Sequence, residues 1–278
     1  MTIPAFRKTI LQWYASHRRN MPWRNTKNPY EILVSEIMLQ QTQVSRVLIK
    51  YEEFLRAFPT TKVLANASDA ELLKVWSGLG YWRRAKYLKE TVKTVENAFG
   101  GIFPQDIQTL ETLPGIGPYT SHALACFAFQ NPDAFIDTNI RRVYLHFFFP
   151  DQKNISDKEI LPIAQKAVWL ENPREWHYAL FDYGATELKN KGINKQSRHY
   201  HKQSKFKGSF RSFRTNAIRY LLKQKQQKGK ADVLEAFVET DLRKQEAVFN
   251  AEEILASLIK DGLIVKHKNL YQIQSRKE

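Results

Sequence analysis

Along residues 1–205 apolar positions recur at spacings of three and four, the period of an amphipathic helix. Ile32, Val34, Ile37 and Leu39 form one series, and Val47, Leu48, Tyr51, Phe54, Leu55 and Phe58 another. Ile3 to His17 predicts a basic amphipathic helix. Breaks fall at Pro22, Pro29, Pro59, Gly100-Gly101, Pro104 and the Gly115–Pro118 turn, leaving helix-sized segments between them. The style changes after Arg211. Phe213–Leu222, Ala231–Leu242 and Ala251–Ile259 predict three helices, and Leu263–Lys266 and Leu270–Ile273 predict two strands about a turn. Three helices closed by a hairpin point to a small winged-helix-like domain over 206–278, although a generic helical tail ending in a hairpin has the same pattern. The fold class expected is all-α with that appendage.

The length of 278 residues suits about two domains at roughly 150 residues each. With 43% apolar residues the chain can bury a core, and no apolar run approaches the ~20 residues of a membrane-spanning helix. A single cysteine, Cys126, excludes a disulfide framework, a cysteine zinc site and a cysteine-ligated iron–sulfur cluster within one chain. The net charge of +15 implies a polyanionic partner, most simply nucleic acid. Most of it lies between Gly184 and Lys230, where fourteen Lys or Arg face one acid, Glu187, with aromatics interleaved. That run reads either as a solvated linker or as a nucleic-acid contact. No apolar core precedes a small-residue cleavage site, and Trp13 and Tyr14 read as core anchors rather than as part of a transit peptide. A cytoplasmic, nucleoid-associated protein is expected.

Three sites carry candidate chemistry. In Leu113-Pro114-Gly115-Ile116-Gly117-Pro118-Tyr119-Thr120 two glycines permit a tight turn and Pro118 suits the first turn of a helix, whose N–H groups can hold a phosphate oxygen. Asp137, ahead of Thr138-Asn139-Ile140, reads first as an N-cap, a position that favours the ionised carboxylate. Glu36 sits among Val34, Ile37 and Met38, on a helical face with Ile32, Leu39, Gln40 and Gln43. Either it belongs to a buried hydrogen-bond network, or it lines a dry pocket where desolvation raises its pKa and makes it a proton donor near neutrality.

The hairpin followed twenty residues later by Asp137 resembles the helix-hairpin-helix base-excision glycosylase superfamily, and within it the MutY type of adenine glycosylase. Pro22-Trp23-Arg24, Pro29-Tyr30, Val34 to Val44 (VSEIMLQQTQV) and Trp76-Ser77-Gly78-Leu79-Gly80-Tyr81-Trp82 are similar to its further motifs, with Trp82 where a second tyrosine is common. The likeness covers roughly residues 5–187. It implies one lobe from 1–20 plus 137–205 and a six-helix lobe from 21–136, together a glycosylase domain over 1–205.

The resemblance also implies roles. Glu36 would protonate adenine, Asp137 would face the cationic sugar, and Tyr119 would press on that sugar. A lysine at 119 would mark a bifunctional lyase, so tyrosine implies a monofunctional enzyme. Trp23, Arg24, Leu39, Asn139 and Asp182 would line the pocket for a flipped base, and Gln41 and Tyr81 would wedge the duplex. Gly115, Gly117 and Thr120 would contact DNA at the hairpin, and Lys195, Arg198 and Lys202 within the basic run. Plain alternatives stay open: Trp23 and Tyr81 as core, Asp182 as a helix-terminal acceptor.

Two departures stand out. Leu188, Lys195, Arg198 and Ser204 occupy the spacing of the family's four cluster cysteines, so no iron–sulfur cofactor is expected. The tail is too short for the Nudix-like domain that reads 8-oxoguanine in many relatives. The expected partner is double-stranded DNA carrying adenine opposite 8-oxoguanine or guanine, bound by a monomer with no membrane role. No cofactor is expected beyond a possible monovalent cation on hairpin carbonyls. A thymine or uracil mismatch glycosylase and a non-catalytic DNA-binding protein are the rival readings.

Overall fold

The computed structural model describes residues 1–189, 191–200 and 205–274. The chain folds as two compact units, one of Met1–Glu36 with Pro104–Lys202, the other of Ile37–Phe103 with Gln203–Glu278. In chain order, α1 (Ile3–His17) is followed by a 3-10 turn (Pro22–Arg24) and α2 (Pro29–Leu39). The second unit continues through α3 (Val44–Ala57), α4 (Thr61–Asn66), α5 (Asp69–Trp76) and α6 (Arg83–Phe99). The first unit resumes with α7 (Ile107–Glu111), α8 (Pro118–Phe129), α9 (Thr138–Phe148), α10 (Asp157–Ala167) and α11 (Pro173–Thr186). The tail runs α12 (Phe210–Lys223), β1 (Lys228–Lys230), α13 (Ala231–Lys244), α14 (Ala251–Lys260), β2 (Ile264–His267) and β3 (Leu270–Ile273). None of these helices is long and apolar enough to cross a membrane.

Helix ends follow local chemistry. Ser68 and Glu71 form a reciprocal capping box at the start of α5, as Asn250 and Glu253 do for α14. Gly100 ends α6 with φ +60°, a left-handed cap that glycine adopts without a Cβ clash. Pro118 occupies the first turn of α8, behind Gly117 and a turn in which Gly115 has φ +74°. In the first unit Phe6 is fully buried and meets Trp176, Phe147 and Phe148 edge-on, joining α1, α9 and α11. Inside α8, Cys126 is buried with its Sγ 3.5 Å from His177 Nδ1. Burial pushes that thiol up and pushes the His177 imidazole down to about 4, so both stay neutral.

The tail has the winged-helix element order, with a three-stranded antiparallel sheet in the order β1-β3-β2. Its core gathers Phe213, Ile218, Leu221, Leu234, Val238, Ile254, Leu258, Ile264 and Ile273. The third strand, β1, was not expected. Lys228-Gly229-Lys230 carries no apolar signal, and pairing along β3 makes it a strand.

The units divide the chain differently from the lobes expected at 1–20 plus 137–205 and at 21–136. Residues 21–36 and 104–136 join the unit containing 137–202, because Arg24 pairs with Asp182 and Phe127 stacks on Tyr178 at 4.4 Å. Residues 206–278 fold together with 37–103 rather than alone. Trp82 Nε1 donates to Thr215 Oγ1 at 3.3 Å, and Asp261 accepts from Arg83 at 3.2 Å.

Candidate active site

Glu36, on α2, is only 6% exposed. Tyr119, in the first turn of α8, donates its hydroxyl to Glu36 Oε2 at 2.9 Å and sets its ring edge-on to Phe135 at 5.7 Å. The Glu36 carboxyl is pushed up to about 7. Burial raises it most, the Tyr119 hydrogen bond holds it back, the charge of Asp137 raises it further and Arg24 lowers it. A carboxyl with that value holds a proton and can deliver it near neutral pH. Tyr119 is itself raised well above the ordinary phenol value, by burial and then by Glu36 and Asp137, so it remains a donor.

Asp137 caps α9. Its Oδ1 accepts from the N–H groups of Asn139 (2.9 Å) and Ile140 (2.6 Å), and its Oδ2 from the Asn139 amide at 3.1 Å. The N-cap reading of the sequence therefore describes its local bonding. Burial raises its carboxyl, while the N–H groups of Ile140 and Asn139 and the charge of Arg141 draw it back. The net direction is up, opposite to the effect of a helix N-terminus alone, because burial outweighs those hydrogen bonds. Asn139 is thus a support for Asp137.

Gly184 explains how α9 and α11 come so close. A Cβ at 184 would lie 2.3 Å from the backbone carbonyl oxygen of Asn139. Gly184→Ala is expected to shift the cap on Asp137 and to destabilise the fold by about 1–3 kcal/mol, read as a lower midpoint in thermal unfolding. An unchanged midpoint would show that α9 relaxes freely here.

Arg24 and Asp182 meet, but not as free pocket-lining groups. Arg24 makes two 2.8 Å hydrogen bonds to Asp182, one to each oxygen, and Arg19 adds its backbone N–H at 3.0 Å and Nε at 2.6 Å. Asp182 is fully buried. Burial pushes its carboxyl up, yet the Arg24 and Arg19 contacts outweigh that and hold it below the usual range. Asp182 is an anchor for two arginines, the acceptor role that the sequence left open beside a place in the pocket wall. Trp23 is buried beside Arg24 in the 3-10 turn.

Three contributors to this site were missed. Arg19 completes the Asp182 cluster. Arg174 is buried and donates to the carbonyls of Phe127 (2.7 Å) and Arg24 (3.0 Å). Tyr178 lies under the Arg24 guanidinium at 4.4 Å, and its buried hydroxyl has no hydrogen-bond partner among the described residues. A cleft of about 300 Å³ is lined by Pro118, Tyr119, His122, Phe135 and Ile136. A larger cleft of about 700 Å³, at Phe58, Lys62, Asn66 and Lys74, holds none of the candidate acids.

The remaining residues fall into three places. Gly115 and Gly117 form the hairpin turn, and Thr120, in the first turn of α8, is 3% exposed. Lys195 and Arg198 are exposed, on a short segment tied down by the bridge between Ile155 and Ser197, while Lys202 and Ser204 lie outside the described residues. Leu188, at the first cysteine position of the resemblance, is a fully buried core residue. In the second unit Leu39 is half-buried, Gln41 is exposed and Tyr81 half-buried.

Gln41 and Tyr81 both have positive φ, +54° and +46°. Such angles in non-glycine residues are costly and persist only where the surroundings impose them. Arg84 does so. Its buried guanidinium donates to the carbonyls of Ile37 (2.7 Å), Met38 (2.9 Å), Gln40, Leu79 (3.1 Å) and Gly80 (3.3 Å), and to the Thr42 hydroxyl at 3.0 Å. One side chain therefore holds both turns.

Residues 34–168 match the HhH-GPD superfamily of base excision DNA repair proteins. The adenine DNA glycosylase of Buchnera aphidicola subsp. Baizongia pistaciae is 38% identical over 190 residues, covering 66% of this chain and 53% of that protein. That of Mycolicibacterium smegmatis is 47% identical over 135 residues, covering 48% of this chain and 46% of its own. The aligned regions span about half the length of these curated relatives. Among solved structures, a thermostable thymine-DNA glycosylase superposes with a TM-score of 0.61 at 29% identity, over 70% of this chain and 94% of that one. The hairpin and Asp137 motifs, the helical fold and these matches agree: the chain belongs to the HhH-GPD superfamily of base excision DNA repair proteins.

Proposed function

We propose that this chain is a monofunctional DNA glycosylase that removes adenine mispaired with 8-oxoguanine or guanine from double-stranded DNA. The observation that carries the reading is the buried Glu36 carboxyl, hydrogen-bonded to Tyr119 and raised to about 7 by burial and, further, by the charge of Asp137. Glu36 gives its proton to N7 of a flipped adenine, the C1′–N9 bond breaks, and adenine leaves neutral. The Asp137 carboxylate stabilises the oxocarbenium-like sugar. Water adds to C1′ and its proton restores Glu36. Trp23 is assigned to the wall of the base pocket. Arg24 orders the wall through Asp182 and Tyr178. The hairpin at Gly115–Gly117 and the exposed Lys195 and Arg198 supply phosphate contacts. None of these steps requires a metal or organic cofactor.

Single-turnover release of adenine from an A·8-oxoguanine duplex tests the reading. Wild-type protein releases the base, and Asp137→Asn slows release about a hundredfold with DNA binding retained. No release from this duplex or from A·G would sink it. The match to a thymine-DNA glycosylase over nearly all of that chain favours a second reading, a pyrimidine mismatch glycosylase. T·G and U·G duplexes in the same assay distinguish it.

A further inference from the structure

Four residues, two in the turn before α6 and two in its first turn, dock on the winged-helix tail. Tyr81 meets Arg211 of α12, whose guanidinium lies 4.6 Å from its ring centre and donates to its hydroxyl. Trp82 donates to Thr215, Arg83 pairs with Asp261, and Lys86 donates to the carbonyls of Asp261 (3.3 Å) and Gly262 (3.1 Å). Arg214 also pairs with Asp261, so this acid ties α12 to the start of α6. Arg84 lies 5.4 Å from the Tyr81 ring centre, which puts the tyrosine in contact with two guanidinium groups. Arg211 is itself placed by Phe206, whose ring centre is 5.4 Å away.

The Tyr81 backbone is imposed by Arg84 and the ring by Arg211. We propose that the tail's part in the reaction is to aim Tyr81. Arg211 is a positioning residue that holds the tyrosine ring for insertion beside the base opposite the excised one, so that the tail sets opposite-base preference. This rests on the glycosylase reading. It assigns discrimination to residues 206–215 without any tail residue touching the reacting atoms. The guanidinium plane matters as much as the charge, since a lysine offers neither stacking nor a fixed fork.

The test compares wild type, Arg211→Ala and Arg211→Lys in two assays. The first is the ratio of single-turnover adenine release from A·8-oxoguanine and A·C duplexes. The second is the fluorescence of a pyrrolocytosine placed opposite adenine, which reports insertion of an aromatic ring on binding alone. Arg211→Ala is expected to lower the release ratio about tenfold and to abolish the fluorescence change, with Arg211→Lys between it and wild type. Thermal unfolding identifies variants that merely fail to fold, and Thr215→Val, which removes the Trp82 contact and the hydroxyl's hydrogen bond to the Arg211 carbonyl, then serves as the gentler probe. A ratio and fluorescence change that both survive in folded Arg211→Ala would overturn the proposal. So would an equal loss of rate on both duplexes with the ratio intact. If the wild type releases no adenine, the glycosylase reading fails by itself. The fluorescence change, present in wild type and lost in Arg211→Ala, then still establishes the aiming of Tyr81.

Discussion

Glu36→Gln is expected to slow base release about ten-thousand-fold, the upper range for loss of a general acid. Glutamine keeps the shape and accepts the Tyr119 hydrogen bond, but has no proton to give. The wild-type rate should be flat below pH 7 and fall about tenfold per pH unit above it, because the active form is protonated and the carboxyl sits at about 7. The same residue links stability to pH. Its folded value lies above the ordinary 4.5, so the folded state binds the proton more tightly than the unfolded chain does. Stability is therefore greatest below pH 4.5 as far as Glu36 is concerned, and is lost as pH rises through 7. The loss is on the order of 3 kcal/mol, since each pKa unit corresponds to about 1.4 kcal/mol. Glu36→Gln should accordingly be the more stable protein at pH 8 in urea unfolding, while being the inactive one. A variant that retains wild-type release, or whose pH profile is unaltered, would remove Glu36 from the acid role.

Asp182→Asn is expected to have the largest effect on folding. The Arg24 side chain is 4% exposed and Asp182 is fully buried. Removing the negative partner leaves a guanidinium charge without compensation in the interior, at about 3–5 kcal/mol, or on the order of 10 °C in unfolding midpoint. The Asp182 carboxyl is held below its ordinary 3.8, so its contribution is present above that pH and lost as pH falls through the folded value. Replacing both partners together, Arg24→Met with Asp182→Leu, should recover much of the loss, because the apolar pair leaves no buried charge. If Asp182→Asn unfolds with the wild-type midpoint, this cluster is not an anchor.

The helices and hairpin were readable in the sequence because period and punctuation are local. Pro118 and the paired glycines mark the turn before α8, and the spacing from Val34 to Leu39 marks α2. Glu36, Tyr119 and Asp137 were readable as residue types in a familiar order. Their electrostatics were readable only for Glu36, since the direction at Asp137 depends on how deeply the cap is buried. Arg19, Arg84 and Arg174 were not separable from the other basic residues, because nothing local distinguishes a guanidinium that will be buried against carbonyls from one in water. The attachment of the tail was invisible for a related reason. Trp82 and Thr215 stand 133 residues apart, and neither has a pattern that names the other.

Cys126 gives the hairpin a means of observation. It is the chain's one thiol, it lies within α8, and burial keeps it protonated. Alkylating reagents attack the exposed thiolate, so the native protein is labelled only during excursions in which α8 lifts away from its neighbours. The labelling rate, divided by that of a free thiol, therefore gives the population of the opened hairpin without any added probe. A ligand that grips the turn at Gly115–Gly117 will slow labelling in proportion to how tightly it closes those excursions.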